Sequence, residues 1–364
     1  MTKPYTEQDL KEISYGQLAQ KNFKHSLIAL NSLLYLFGIE WIENEIISEK
    51  ITDEYIIKLL GKDRIYGGKE SLEKLVFLWE DIQLLQDLKG FSALLNKLKI
   101  SPRFNNVDIE VSITADLIRN NASIELEPSV KKGFADCRFK FPNCESWIYC
   151  EISRRDNSKT KLNIKEKGEE ISNLASLINP KRHCVILILK ESNDEEYTKI
   201  ITWLKSNPEE GKLDNIAYFF SAEHSTALNQ KEFEHLTAPI SLRQSGDVLK
   251  GTFGSVYFHI PDKGVKSKLN EKRLQLPLNE ISLLFIDLTA VAGGFTDWEK
   301  QIEFKNPVKH FSAVVLFRDS NGSTGFKREM KIIENAKSSN PLPENLKHFL
   351  ENFTKIRLDK NLLE

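Results

Sequence analysis

The chain has 364 residues, with 51 Lys and Arg against 52 Asp and Glu and 40% hydrophobic residues. A formal net charge of -1 excludes a protein that coats nucleic acid non-specifically, while allowing a local basic patch. The start, MTKPYTEQDLKEIS, lacks the apolar core of a secretion signal and none of the four cysteines forms a Cys-x-x-Cys pair, so a cytoplasmic protein with reduced thiols, no zinc framework and no membrane span is expected.

The first hundred residues carry apolar positions at helical spacing: HSLIALNSLLYLFG, DEYIIKLLG, SLEKLVFLWEDIQLLQDLKG and FSALLNKLK, several with Gly as a stop signal. The longest apolar run, SLIALNSLLYLFGIEWI at 26–42, is broken by Asn31 and Glu40 and reads as buried helix, not membrane span. Residues 1–103 are therefore expected to form a helical N-terminal domain. The pattern changes near residue 104. NNVDIEVSITADLIRNN reads as a helix, ASIELEP and GFADCRFKF as alternating strands, and WIYCEIS as a third strand. RRDNSKTKLN, polar and basic, leads to the helix IKEKGEEISNLASLIN and then to HCVILILK, a strand apolar on both faces. The expected order is helix, three hairpin-connected strands, helix crossover, strand, within a core spanning 104–225.

Beyond it, DEEYTKIITWLKS reads as helix and NIAYFFSA as strand, with mixed strands and loops at TAPISLRQ and TFGSVYFHIPD. KSKLNEKRLQL is a helix before the buried strand SLLFIDLTA, HFSAVVLFRD one more strand, and PLPENLKHFLENF a closing helix with proline at its start. Residues 226–364 are expected to extend the core's sheet, giving an α/β fold.

Chemistry gathers in GFADCRFKFPNCESWIYCEIS, residues 133–153. Strands are depleted in Asp, and a buried carboxylate is costly unless compensated, yet Asp136 and Glu151 stand within apolar strands. If the two strands pair through the Pro142–Glu145 turn, alternation puts Asp136, Glu151 and Ser153 on one face and Cys137 and Cys150 on the other. Adjacent carboxylates repel, and a divalent cation such as Mg²⁺ or Mn²⁺ is the usual remedy.

The element order, with Phe134-Ala135-Asp136 on the second strand and Glu151-Ile152-Ser153 on the third, resembles the PD-(D/E)XK nuclease superfamily, the restriction-endonuclease-like fold. The resemblance covers about residues 104–190. It implies that Asp136, Glu151 and the carbonyl of Ile152 hold a catalytic Mg²⁺ or Mn²⁺, with Glu110 of the preceding helix as an auxiliary acid, and that the chain hydrolyses phosphodiesters in DNA. Alanine stands where the pattern often has proline. The pattern's lysine belongs at 153, where this chain has Ser153, and a hydroxyl supplies no positive charge. Some members carry that lysine on the following helix, which points to Lys165 or Lys167. The alternative is a catalytically degenerate member that binds nucleic acid or a protein partner. Residues 128–170 hold ten Lys or Arg against seven acids, and Arg154, Arg155, Lys159 and Lys161 are the expected phosphate contacts. Oligomeric state is left open, a homodimer included.

Other signals are weaker. Glu125 and Glu127 alternate with Ile124 and Leu126 and read as a solvent-facing strand side, the alternative for Glu127 being contact with the metal site. Seven histidines lack metal spacing, and Gly251-Thr252-Phe253-Gly254 and Gly293-Gly294 lack the strand–loop–helix context of a phosphate loop. Asp287 ends a buried strand without an evident partner.

Overall fold

The structure, a computed structural model, describes residues 4–16, 20–47, 68–99, 104–131, 133–155, 167, 170–171, 174, 184–188, 192–209, 211–221, 255–258, 265–289, 295, 298–299, 302, 310–322 and 325–353. The chain divides into two compact units, one of Met1–Arg154, Ser267–Thr289 and Lys305–Glu364, the other of Arg155–Lys266 and Ala290–Phe304.

In the first unit, helices α1 (Glu7–Ile13), α2 (Gln20–Phe37), α3 (Ile39–Ile47), α4 (Gly68–Leu85), α5 (Phe91–Leu98) and α6 (Phe104–Arg119) precede the strands. The long apolar run of the sequence is two helices, α2 and α3, parted at Gly38, whose φ of 83° is unfavourable for other residues. β1 (Ser123–Leu126), β2 (Ser129–Val130), β3 (Gly133–Phe134), β4 (Cys137–Lys140) and β5 (Ile148–Arg154) follow. The expected strand GFADCRFKF is thus two pieces, β3 and β4, separated at Ala135 and Asp136.

Six strands form one mixed sheet in the order β1-β4-β5-β10-β11-β12, where β10 is Ser282–Asp287, β11 Ala313–Gly322 and β12 Gly325–Glu334. β1, β4 and β5 run antiparallel, β10 lies parallel to both β5 and β11, and β12 closes antiparallel. Every residue of β10 is buried, as suits a central parallel strand. A single apolar core takes in helix residues such as Leu33, Leu75 and Ile113, strand residues such as Phe139, Cys150 and Phe285, and Leu350 of the last helix, Glu344–Asn352. The N-terminal helices share that core with the sheet, so the expected boundary at 103/104 separates nothing: helical periodicity shows that a face is buried, not what buries it.

The second unit has its own sheet, β7-β8-β6-β9, formed by Gly211–Leu213, Ala217–Ser221, Cys184–Ile188 and Ser255–Phe258. The helix α7 (Asp194–Lys205) packs Tyr197, Ile200 and Leu204 on it. HCVILILK, expected in the same core as WIYCEIS, supplies β6 of this second sheet, Cys184–Ile188. The strand beside β5 is β10, reached through the helix α8 (Val265–Lys272), which belongs to the first unit from Ser267 onward. Both candidates are apolar runs preceded by a helix, and nothing local distinguishes them. The division also cuts across the expected boundary at 225/226. The expected segments 53–61 and 237–244 lie outside the described residues. Among the described residues no helix is long and apolar enough to cross a membrane.

Candidate metal centre

The β1–β4–β5 register decides which side chains meet. Leu126 pairs with Cys137, and Cys137 with Cys150. One residue beyond the ends of β1 and β4, Glu127 and Asp136 fall in line with Glu151 of β5. The backbone continues the ladder there, since the N–H of Glu127 donates to the Asp136 carbonyl at 3.0 Å. Like charges directly opposite are destabilising in a sheet, so this row needs compensation.

Part of it comes from the backbone. The N–H of Ile152 donates to Asp136 Oδ2 at 2.8 Å, fixing that carboxylate at the end of β4. Ile152 therefore meets the site through its N–H. The rest comes from two lysines. Lys97 of α5 donates to Glu127 Oε1 and lies 4.0 Å from Asp136 Oδ1. Lys272, the last residue of α8, donates to Glu151 Oε2 at 2.8 Å, and the Glu151 side chain is wholly buried.

Glu110 completes the cluster from α6. One oxygen each of Glu110, Glu127 and Asp136 lies within 4.8 Å of the others. Glu110 and Asp136 are buried. Two oxygens, Glu110 Oε2 and Glu151 Oε1, are sequestered without a hydrogen-bond partner. Burial, reinforced by Asp136, raises the Glu110 carboxyl well above the usual carboxylate range. The same two causes push Glu151 up to about 9, against the opposing pull of Lys272. Burial alone would lower the lysines. Glu110, Glu127 and Asp136 outweigh it at Lys97, and Asp136 and Glu151 at Lys272, so both ammonium groups are held above their ordinary range.

The backbone around the cluster is constrained. Glu127 has φ of 52°, a left-handed conformation costing a non-glycine residue roughly 1–2 kcal/mol, and this places its carboxylate beside Asp136 instead of continuing β1. Gly90, with φ of 95°, starts the helix that carries Lys97. A Cβ there would fall 2.5 Å from the carbonyl oxygen of Leu126. The N–H of Leu126 also donates to the Lys89 carbonyl at 3.2 Å. A glycine is thus required where α5 presses against the end of β1, the contact that sets Lys97 over Glu127.

The structure brings Asp136, Glu151 and Glu110 of the expected site together. Ser153 is buried one alternation beyond Glu151. Lys167 is not part of this cluster: it belongs to the second unit, where it donates to Asp194 and lies 4.9 Å from the centre of the Tyr197 ring. Lys159, Lys161 and Lys165 lie outside the described residues. Arg154 turns toward Asp287, its Nε 3.6 Å from Oδ2, and its N–H donates to Asn106 Oδ1 at 3.3 Å. Arg155 is half-buried at the start of the second unit.

Two members were not foreseen as part of the site, Lys97 and Lys272, and Glu127 reads from the sequence as solvent-facing, with contact to the metal site as the alternative. Lys97 carries no local signal. Lys272 has one: it stands at the apolar spacing of its helix, three residues after buried Leu269 and four before buried Leu276. A lysine at a core-facing position implies a buried acid as partner.

Oxygen-only donors, two of them orphaned, and an excess of acids over lysines suit a hard divalent cation such as Mg²⁺ or Mn²⁺. Compared with models of known protein families, with curated proteins and with solved structures, the chain matches none of them.

Proposed function

We propose that the chain is a divalent-metal-dependent nuclease that hydrolyses phosphodiester bonds in DNA, a divergent relative of the PD-(D/E)XK nucleases in which Lys272 takes the part of the lysine absent at position 153. The observation that supports it best is the convergence of Glu110, Glu127 and Asp136 within 4.8 Å, next to Glu151 and its partner Lys272. Glu110, Glu127 and Asp136 would hold the cation, with Glu151 as a neighbouring acid. A bound divalent cation supplies Lewis-acid polarisation of a phosphoryl oxygen and a more acidic water.

The chain's own residues do the rest. Ile152 N–H and Lys97 orient Asp136 and Glu127. Lys272, held protonated by the surrounding acids, keeps a fixed positive charge beside the acids, where negative charge develops on a phosphate during hydrolysis. The mixed sheet with strands β1, β4 and β5 antiparallel and β10 parallel to β5 accords with the four-strand core that the resemblance implies.

A second reading, a non-catalytic protein of the same ancestry that binds nucleic acid or a protein partner, draws on the engagement of both lysines in ion pairs with carboxylates. Cleavage of single- and double-stranded DNA and of RNA in Mg²⁺ or Mn²⁺ separates the two. The nuclease reading predicts cleavage abolished by chelation and reduced about 10³-fold or more by Asp136→Ala, the several kcal/mol a catalytic metal supplies. Cleavage that survives Asp136→Ala overturns it, and absence of cleavage on every substrate favours the second reading.

A further inference from the structure

The acid row is the last rung of a ladder whose other rungs have different chemistry. Glu125 pairs with Arg138 and Arg138 with Tyr149, forming the rung next to the acids on the same face. Ser123 pairs with Lys140, and continuing the β4–β5 register sets Lys140 opposite Trp147. The Lys140 ammonium lies 5.0 Å and the Arg138 guanidinium 4.5 Å from the centre of the Trp147 ring.

Arg138 is anchored as well as charged. It donates to Glu125 Oε2 from two nitrogens, at 2.6 and 3.0 Å, and to the Tyr149 hydroxyl at 3.1 Å. Lys89 donates to the other oxygen of Glu125 at 3.0 Å. Arg138 and Lys89 thus flank one carboxylate, and Lys140 adds a third positive charge over Trp147, leaving this stretch positive beside the acids. The opposite face of the same strands, Cys137, Phe139, Ile148 and Cys150, is sealed in the core, with Phe139 and Phe349 ring centres 5.9 Å apart. Arg138, Lys140, Trp147 and Tyr149 are only half-buried.

A half-exposed indole held among fixed cations suits one kind of ligand: a negatively charged backbone bearing flat, unpaired rings. Single-strand binding elsewhere combines a basic track with aromatic stacking, and a duplex keeps its bases stacked on one another. We propose that the sheet face formed by Lys140, Trp147, Arg138 and Tyr149 is the docking surface for unpaired DNA, with a base against Trp147 and the backbone running along the cations toward the acid row. The choice of DNA rests on the nuclease reading. With a rise of about 3.3 Å per residue, Trp147 and Glu151 stand roughly 13 Å apart along the strand, so the base gripped is near the bond presented to the acids, not the one at it.

The test is fluorescence anisotropy of a labelled oligothymidine with the full chain in EDTA, so that binding is read without cleavage. Wild type binds with a salt-dependent affinity. Trp147→Ala weakens binding roughly 5- to 100-fold, the range expected for one lost stacking contact, and Trp147→Phe restores most of it. Lys140→Gln, a substitution at a half-exposed site that leaves the core untouched, lowers the slope of log affinity against log salt by about 0.7, one phosphate contact. Asp136→Ala binds at least as tightly as wild type, since it removes a negative charge. No binding by wild type, unchanged binding in both Trp147→Ala and Lys140→Gln, or equal affinity for duplex or for oligouridine overturns the proposal. If these variants weaken binding while cleavage survives Asp136→Ala, the surface stands and the assigned metal site fails. If Asp136→Ala abolishes cleavage and the variants bind as wild type, the reverse holds.

Discussion

Two buried ionic clusters among the described residues of the first unit are finished differently. In one, Arg328 of β12 donates to Asp319 from Nε and Nη2 at 2.7 and 2.8 Å, to Asp116 Oδ2 at 2.6 Å and to Ser112 Oγ at 3.0 Å. Asp116 Oδ1 takes a further bond from Arg119 at 2.8 Å. This tie between α6 and the β11–β12 hairpin spends both oxygens of Asp116 and of Asp319 on cations. In the other cluster, Glu110, Glu127, Asp136 and Glu151 share two lysines, and Glu110 and Glu151 each keep a buried oxygen unsatisfied. Buried polar groups left without partners are rare because they are costly. The closed network explains itself as structure, whereas the open one is where the proposed cation would bind, at the expense of the empty protein's stability.

The difference can be broken by substitution. Arg328→Met strands Asp116 and Asp319 in the core and should cost about 3–5 kcal/mol, measured by denaturant unfolding with Mn²⁺ affinity of the surviving folded protein unchanged. Gly90→Ala forces a Cβ against Leu126 and a residue with a side chain into a left-handed conformation, about 2–4 kcal/mol together; since it also shifts α5 from β1, it should weaken Mn²⁺ binding as well as stability. The same change made in both clusters sharpens the contrast further. Asp116→Asn should destabilise by about 1.5–3 kcal/mol through weakened bonds to Arg119 and Arg328, while Asp136→Asn should leave the metal-free protein as stable as wild type or more so. A loss at Asp136 as large as that at Asp116 would make the acid row structural.

A further contrast is in pH. A carboxyl raised in the folded state stabilises while protonated, fully below its ordinary value of 4.5, and the benefit is lost as pH climbs toward the folded value of about 9. The melting temperature of metal-free protein should therefore fall across that window, and Glu151→Gln should flatten the slope. An unchanged slope in Glu151→Gln assigns the titration elsewhere.

Much of this site was legible in the sequence because strand alternation is local. GFADCRFKF and WIYCEIS put Asp136 and Glu151 on one face once paired, and the register 137–150 does so. Glu110 came from the resemblance, which implies an acid on the preceding helix, with helical spacing setting it on the side of Val107, Thr114 and Leu117. What escaped was non-local. β6 and β10 are both apolar runs, and what separates them is distant pairing, β10 with β5 and β11, β6 with β8 and β9. Lys272 is brought to Glu151 only by such distant pairing, so a search confined to the segment after β5 stops at Lys167. Glu127 shares the face of Glu125 by alternation; what no local pattern shows is that Lys97 and Asp136 cover that end of the face.

The central claim is that Glu110, Glu127 and Asp136, beside Glu151, form a cation site. Calorimetric titration of Mn²⁺ into chelator-stripped protein tests it most directly. The account predicts saturable binding of one ion per chain, with protons released and affinity lost in Asp136→Ala. Absence of saturable binding, or binding unaltered by Asp136→Ala, would contradict it.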